Sequence, residues 1–156
     1  PKRRGYEHFL VAIGDNKNRA RCFEKAVGRG LVPATLIHPS AILSPSARVG
    51  RGTLVMPRVV VNAGAEIGED CILNTGAIVE HDCKVGDHSH ISPGAVLGGG
   101  VRVGRFAHLG IGVNALPGAI IGDGAVIGAG AVVLAEIPAG VTAAGVPAKV
   151  LERQGA

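Results

Sequence analysis

The chain has 156 residues, a formal net charge of +4 and a 47% apolar share, with only 3% aromatic side chains and 25 glycines. That is enough apolar material for one core built from Val, Ile, Leu and Ala, and the glycines favour a regular, often-turning backbone over a bundle or a sandwich. Lysines and arginines are scattered without interleaved aromatics, which argues against a nucleic-acid surface; no apolar run of about 18 residues predicts a membrane span, and no signal-peptide pattern opens the chain, so the cytoplasm is the expected location.

From the N-terminus, His8-Phe9-Leu10-Val11-Ala12-Ile13-Gly14-Asp15-Asn16 reads as a buried strand stopped by a glycine turn. Lys17 to Val27 reads as a helix after an Asx-type start, with Gly28 and Gly30 marking its exit. One strand and one helix cannot bury a core alone, so residues 1–33 are expected to be the remnant of an N-terminal α/β domain. No complete G-x-G-x-x-G accompanies them to mark a nucleotide site.

Residues 34–156 are expected to form a second domain, because a six-residue period runs unbroken from Leu36 to Ile137 through 17 hexads. Second positions are aliphatic throughout, as in Ile37, Val55, Leu73, Ile91, Leu109 and Ile127, with Ala115 the smallest. Sixth positions are small or β-branched, from Ala41 and Ala47 to Ala131 and Ile137. Both columns must face inward. Turn-formers such as Gly50, Gly64, Gly86 and Gly104 fill the third to fifth positions, where sharp corners leave no room for a side chain.

Six residues are too few for a helical repeat and suit one short strand plus a corner. Three units close a triangular coil, stacked coils pair their strands in parallel, and the hexads give just under six coils in a prism about 27 Å tall. Cys71 and Cys83 fall in the sixth-position column and read as buried thiols, and with Cys22 they form an odd, sparse set that argues against a disulfide framework. The period breaks at Pro138, and Gly145-Val146-Pro147-Ala148-Lys149 follows. The open prism end needs a cap to hide unpaired strand edges.

Runs such as I-I-G-D-G-A-V-I-G-A-G-A-V-V resemble the hexapeptide-repeat acyltransferases. The resemblance covers about two thirds of the chain. It supplies the coiling hand, which composition does not: the fold it implies is a mainly β, left-handed parallel β-helix of about six coils. It also implies that the G-V-P-A-K tail leads into a short capping helix.

The most polar interruption of the prism is Glu80-His81-Asp82-Cys83-Lys84-Val85-Gly86-Asp87-His88-Ser89-His90. His81 sits at a fourth position, an outward corner, where a histidine alone reads as a solvated turn residue. A carboxylate beside an imidazole raises its basicity and fixes its tautomer, which suits a base that takes a proton from an attacking amine. His88 and His90 at i,i+2 offer too few ligands on one face for zinc, so no metal is expected. His108, 18 residues after His90, should stack on it and reads as surface.

The stretch from Asn74 to Ala95, N-T-G-A-I-V-E-H-D-C-K-V-G-D-H-S-H-I-S-P-G-A, resembles the sugar O- and N-acetyltransferase branch. That branch includes sialic acid O-acetyltransferases and enzymes making UDP-linked diacetamido sugars such as bacillosamine. The resemblance implies acetyl-CoA as donor and the amino group of a nucleotide-linked 4-aminosugar, of the UDP-4-amino-4,6-dideoxy type, as acceptor. By the same resemblance His81 is the general base and Asp82 its acidic partner, at a position where family members also carry Glu. His90, Ile111 and Ala129 are implied as acetyl-CoA contacts and Gly14 as a nucleotide-sugar contact. Ile111 and Ala129 are 18 residues apart and so should share one prism edge, as an extended pantetheine arm requires. Related prisms assemble as homotrimers, which would set His81 of one subunit opposite the donor contacts of another. Two alternatives stay open: transfer to a hydroxyl, as on sialic acid, and a non-catalytic or γ-carbonic-anhydrase-like β-helix.

Overall fold

A computed structural model describes Gly5 and residues 7–152. The N-terminal unit is a β1 strand (His8–Phe9), helix α1 (Asn16–Val27) and a β2 strand (Val32–Pro33), with β1 and β2 paired in parallel. The buried strand expected up to the Gly14 turn is therefore cut short at Phe9, with His8 exposed and Phe9 half-buried, and Asn16 opens the helix. Asp15 caps it, its side chain accepting the Asn18 N–H at 2.8 Å, which meets one of the donors a helix start leaves open.

The hexads form the predicted left-handed parallel β-helix. Each contributes a two-residue strand at its first and second positions, from Leu36–Ile37 to Val132–Val133. Every third strand stacks in parallel on the last, giving two six-stranded sheets and one eight-stranded sheet. The register is one coil per 18 residues, as in His90 opposite His108 and Lys84 opposite Arg102. The ladder closes through bonds such as the His90 N–H to the Ala107 carbonyl at 2.9 Å.

Second and sixth positions fill the prism as expected. Leu73, Ile91, Leu97 and Leu109 are sealed, with Ala77, Ala95 and Ala107 between them. The exception is the first coil, where Ile37 is exposed and Leu43 and Val49 are only half-buried because no rung lies beneath them.

Corners follow one rule. From Gly52 to Gly130 the fifth residue of every hexad has a positive φ, including the non-glycine residues Arg58, Asp70, Asp82, His88 and Phe106. Such a conformation is uncommon for residues with a Cβ and strained for a bulky one.

Two expectations near the C-terminus change. Ile137 is not a sixth-position residue: the last hexad loses two residues, so Glu136–Ile137 forms a further strand and Ile137 pairs with Ile121 as a second-position residue. The tail does not become a capping helix within the described residues. Lys149–Val150 instead pairs antiparallel with Thr142–Ala144 and covers the eight-stranded sheet edge as a hairpin. Residues 153–156 lie outside the described residues.

Truncating a sealed second-position residue leaves a void that two flat neighbouring rungs cannot close. Leu97→Ala should lower unfolding free energy by about 2–5 kcal/mol, read from the urea midpoint at unchanged slope.

Candidate active site

The prism has three vertical edges, and the candidate residues are divided among them. His81 and Asp82 stand on the edge between the strands Ile78–Val79 and Lys84–Val85. Both are exposed, and His81 Nδ1 lies 2.9 Å from Asp82 Oδ2. The left-handed backbone of Asp82, with φ 60°, turns its short side chain back toward the ring, so an aspartate reaches where a glutamate would have length to spare. A carboxylate accepts only, so Nδ1 carries the hydrogen and Nε2 is left with a free lone pair. Nε2 lies over Gly99 one coil on, where an added Cβ would sit 2.5 Å from it.

Ile111 and Ala129 lie on a second edge, between the eight-stranded sheet and the sheet holding Val96–Leu97. They stack as expected, the Gly130 N–H donating to the Ile111 carbonyl at 2.8 Å. Both are exposed, Ile111 by 63%. This edge is not the one that carries His81, so a single prism does not bring His81 together with Ile111 and Ala129.

His90 lies on the eight-stranded sheet, the face between the Ile111 edge and the third edge, and is only 8% exposed. Nδ1 lies 3.3 Å from the Gly14 carbonyl and Nε2 3.1 Å from Asn74 Nδ2. A carbonyl accepts and an amide nitrogen donates, so both contacts are met only when the ring hydrogen is on Nδ1. Burial first, then the neighbouring His108, draws the His90 pKa down to about 4, which keeps the ring neutral. The structure thus joins two of the expected site residues, His90 and Gly14, directly.

His108, read as surface from the sequence, is half-buried. Its ring stands 4.8 Å from that of His90, centroid to centroid, and burial lowers its pKa. With Phe106 and Val126 it forms one wall of an open pocket of ≈ 510 Å³, whose other wall is the turn from Gly14 to Lys17. Nothing in the hexad marks His108 as a pocket residue, because its position is made by α1 crossing the face. His88 turns away from His90 and places Nδ1 2.9 Å from Asp70 Oδ2. Cys71 and Cys83 are sealed, burial pushing the Cys71 thiol up to about 12 and raising that of Cys83, which suits inert packing rather than thiolate chemistry.

The bacterial transferase hexapeptide (six repeats) pattern matches residues 46–80, 64–99 and 100–135. The chain belongs to this family. Several proteins of solved structure superpose on it closely. A variant of GDP-perosamine N-acetyl transferase from Caulobacter crescentus, in complex with CoA and GDP-perosamine, is 44% identical with a TM-score of 0.96 over 97% of this chain and 72% of its own. The acetyltransferase domain of PglB from Neisseria gonorrhoeae, in complex with acetyl coenzyme A, is 44% identical with a TM-score of 0.90 over 91% of this chain and 69% of its own. WeeI from Acinetobacter baumannii is 28% identical with a TM-score of 0.90 over 94% of this chain and 71% of its own. Among curated protein sequences none matches this one. No helix among the described residues of this hexapeptide transferase is long and apolar enough to cross a membrane.

A histidine held neutral by the fold ties stability to pH. The His90 pKa falls from an ordinary 6.5 to about 4 on folding, so the unfolded chain binds the proton first. Its contribution is complete above pH 6.5 and is lost as pH falls toward 4. Urea midpoints across that window should fall less steeply in His90→Asn than in the wild type.

Proposed function

We propose that this hexapeptide transferase moves the acetyl group of acetyl-CoA onto the amino group of a nucleotide-linked 4-aminosugar. The observation that carries the reading is the His81–Asp82 pair at an exposed corner with Nε2 unengaged, in a fold shared at 44% identity with an enzyme crystallised beside CoA and GDP-perosamine. The amine nitrogen attacks the thioester carbonyl while His81 Nε2 takes the nitrogen's proton. The tetrahedral intermediate then collapses, the C–S bond breaks, and the departing thiolate recovers the proton from the imidazolium. Asp82 steadies that imidazolium and fixes its tautomer.

The division of residues among edges supports a homotrimer. His81 from one prism would meet Ile111 and Ala129 from its neighbour, with the pantetheine arm running up the Ile111 edge. Exposed Ile111, Leu116, Ile120 and Leu134 supply apolar surface for such packing. Gly14 would touch the nucleotide-sugar, and His90, whose ring nitrogens are engaged within the chain, would meet the donor through its ring edge. Residues 1–33 then belong to an α/β unit on the acceptor side, with residues 34–156 as the acyltransferase domain. The use of acetyl-CoA, an intracellular metabolite, supports a cytoplasmic setting for the reaction.

Thiol release should be followed with acetyl-CoA and, in turn, a UDP-linked aminosugar, a GDP-linked aminosugar and sialic acid. Turnover with an aminosugar is expected, and turnover confined to sialic acid would reject amine transfer. His81→Ala should reduce kcat by at least about a hundredfold. Gly99→Ala tests the same ring without removing it. Its backbone needs no glycine, so stability should hold while the displaced imidazole lowers kcat, and an unchanged kcat would show that Nε2 is not the base.

A further inference from the structure

Arg19 is a charged helix residue only 1% exposed. Its Nε donates to the Asp70 carbonyl at 2.9 Å, and one terminal nitrogen donates to the Ile13 carbonyl at 3.0 Å and, more weakly, to that of Gly14 at 3.4 Å. The other terminal nitrogen donates to the His88 carbonyl at 2.6 Å, to Asn16 Oδ1 at 2.9 Å and, at 3.4 Å, to the Ser89 carbonyl. Asp70 Oδ2 stands 3.4 Å from Nε as the counter-charge and also meets His88 Nδ1. Asn16 braces the same turn, its Nδ2 donating to the carbonyls of Phe106 and Ala107 at 3.0 and 3.1 Å.

The fork therefore ends on the turn before α1, on Asn16 at the helix's first residue, and on two successive coils. The coil residues it uses lie on the third edge, where Asp70, His88 and Phe106 occupy three successive positive-φ corners without being glycine. A glycine there would relieve the backbone but remove the carboxylate that balances the guanidinium and the ring that stacks on Phe106 at 4.8 Å. That strain is kept on the edge that α1 covers.

We infer that Arg19, braced by Asn16, is a positioning residue that holds the Gly14 turn against His90 and so sets the acceptor wall of the pocket shared with His108. The inference rests on the reading of Gly14 as an acceptor contact. Lysine keeps the charge beside Asp70 but has one nitrogen on a flexible stem, so it cannot span the turn and both coils together.

The test compares wild type, Arg19→Lys, Asn16→Ala and Arg51→Gln, the last removing a solvated pair with Glu69 on the same edge. Folding is checked by circular dichroism and thermal midpoint. Arg19→Lys should raise the KM for the aminosugar at least about tenfold, the loss of one or two hydrogen bonds' worth of placement, while the KM for acetyl-CoA stays within about twofold. Asn16→Ala should show the same split more weakly and serves if Arg19→Lys fails to fold; Arg51→Gln should match the wild type. Amide exchange over residues 13–16 should quicken in the first two variants and not in the third. Equal changes in both KM values that follow the thermal midpoint would reduce Arg19 to general stability and overturn the inference, as would wild-type KM values in a folded Arg19→Lys. Exchange needs no substrate, so unchanged exchange over residues 13–16 refutes the hold on the turn whatever the activity. A wild type that acetylates no aminosugar refutes the acceptor reading, and with it the acceptor role of Arg19.

Discussion

Each corner of the prism must reverse the chain within a few residues, and the fifth residue of the hexad does so by taking a positive φ. Once that turn recurs every six residues, three strands close a coil and a side chain's vertical neighbours are those 18 residues before and after it. The core, the three edges and the separation of His81 from Ile111 all descend from this repeat. It also explains the composition: a prism this narrow has room for Val, Ile, Leu and Ala but little for aromatic rings, and the three phenylalanines lie outside it, where Phe9, Phe23 and Phe106, with His88 between the last two, join α1 to one edge.

The repeat was legible because second and sixth positions carry one side-chain type over many coils, and chance alternation does not persist that long. Its last step misled because an aliphatic residue, Ile137, stands both where an uninterrupted period needs one and where a hexad shortened by two places it. The turn column was legible at Gly64 or Gly112 and hidden at Arg58, Asp70 and Phe106, since a residue with a Cβ gives no local sign that its φ is positive. The capping helix failed for a related reason: G-V-P-A-K signals an end, but which partner the next residues take depends on the free sheet edge they meet.

The His81–Asp82 pair was readable because both members are adjacent in sequence and its geometry needs only one corner. His108 and Arg19 were not. A helical arginine reads as solvated charge, and nothing near Arg19 announces a carboxylate 51 residues away on a strained corner. His90 lies between these cases: its stacking on His108 follows from the period, whereas its bond to Gly14 depends on a segment that lies outside the repeat.

The two halves of the site consequently depend on different physics. His81 and the Ile111–Ala129 edge are positions in a lattice, fixed by rungs whose neighbours are sealed aliphatics, and their backbone tolerates little displacement because the packing admits none. The Gly14 turn is an attachment to that lattice. Ring packing from Phe9 through Phe23 and His88 to Phe106 holds α1 near the edge but does not choose where along it the Gly14 turn should rest, because such contact has little directional preference. Hydrogen bonds do choose, and a buried guanidinium whose donors must all be met at once leaves a single answer. Placing a charge pair there costs desolvation, seen in the raised pKa of Asp70 and the lowered pKa of Arg19, both caused first by burial. That cost goes with a site in which one wall is built by repetition and the other must be brought to it in register.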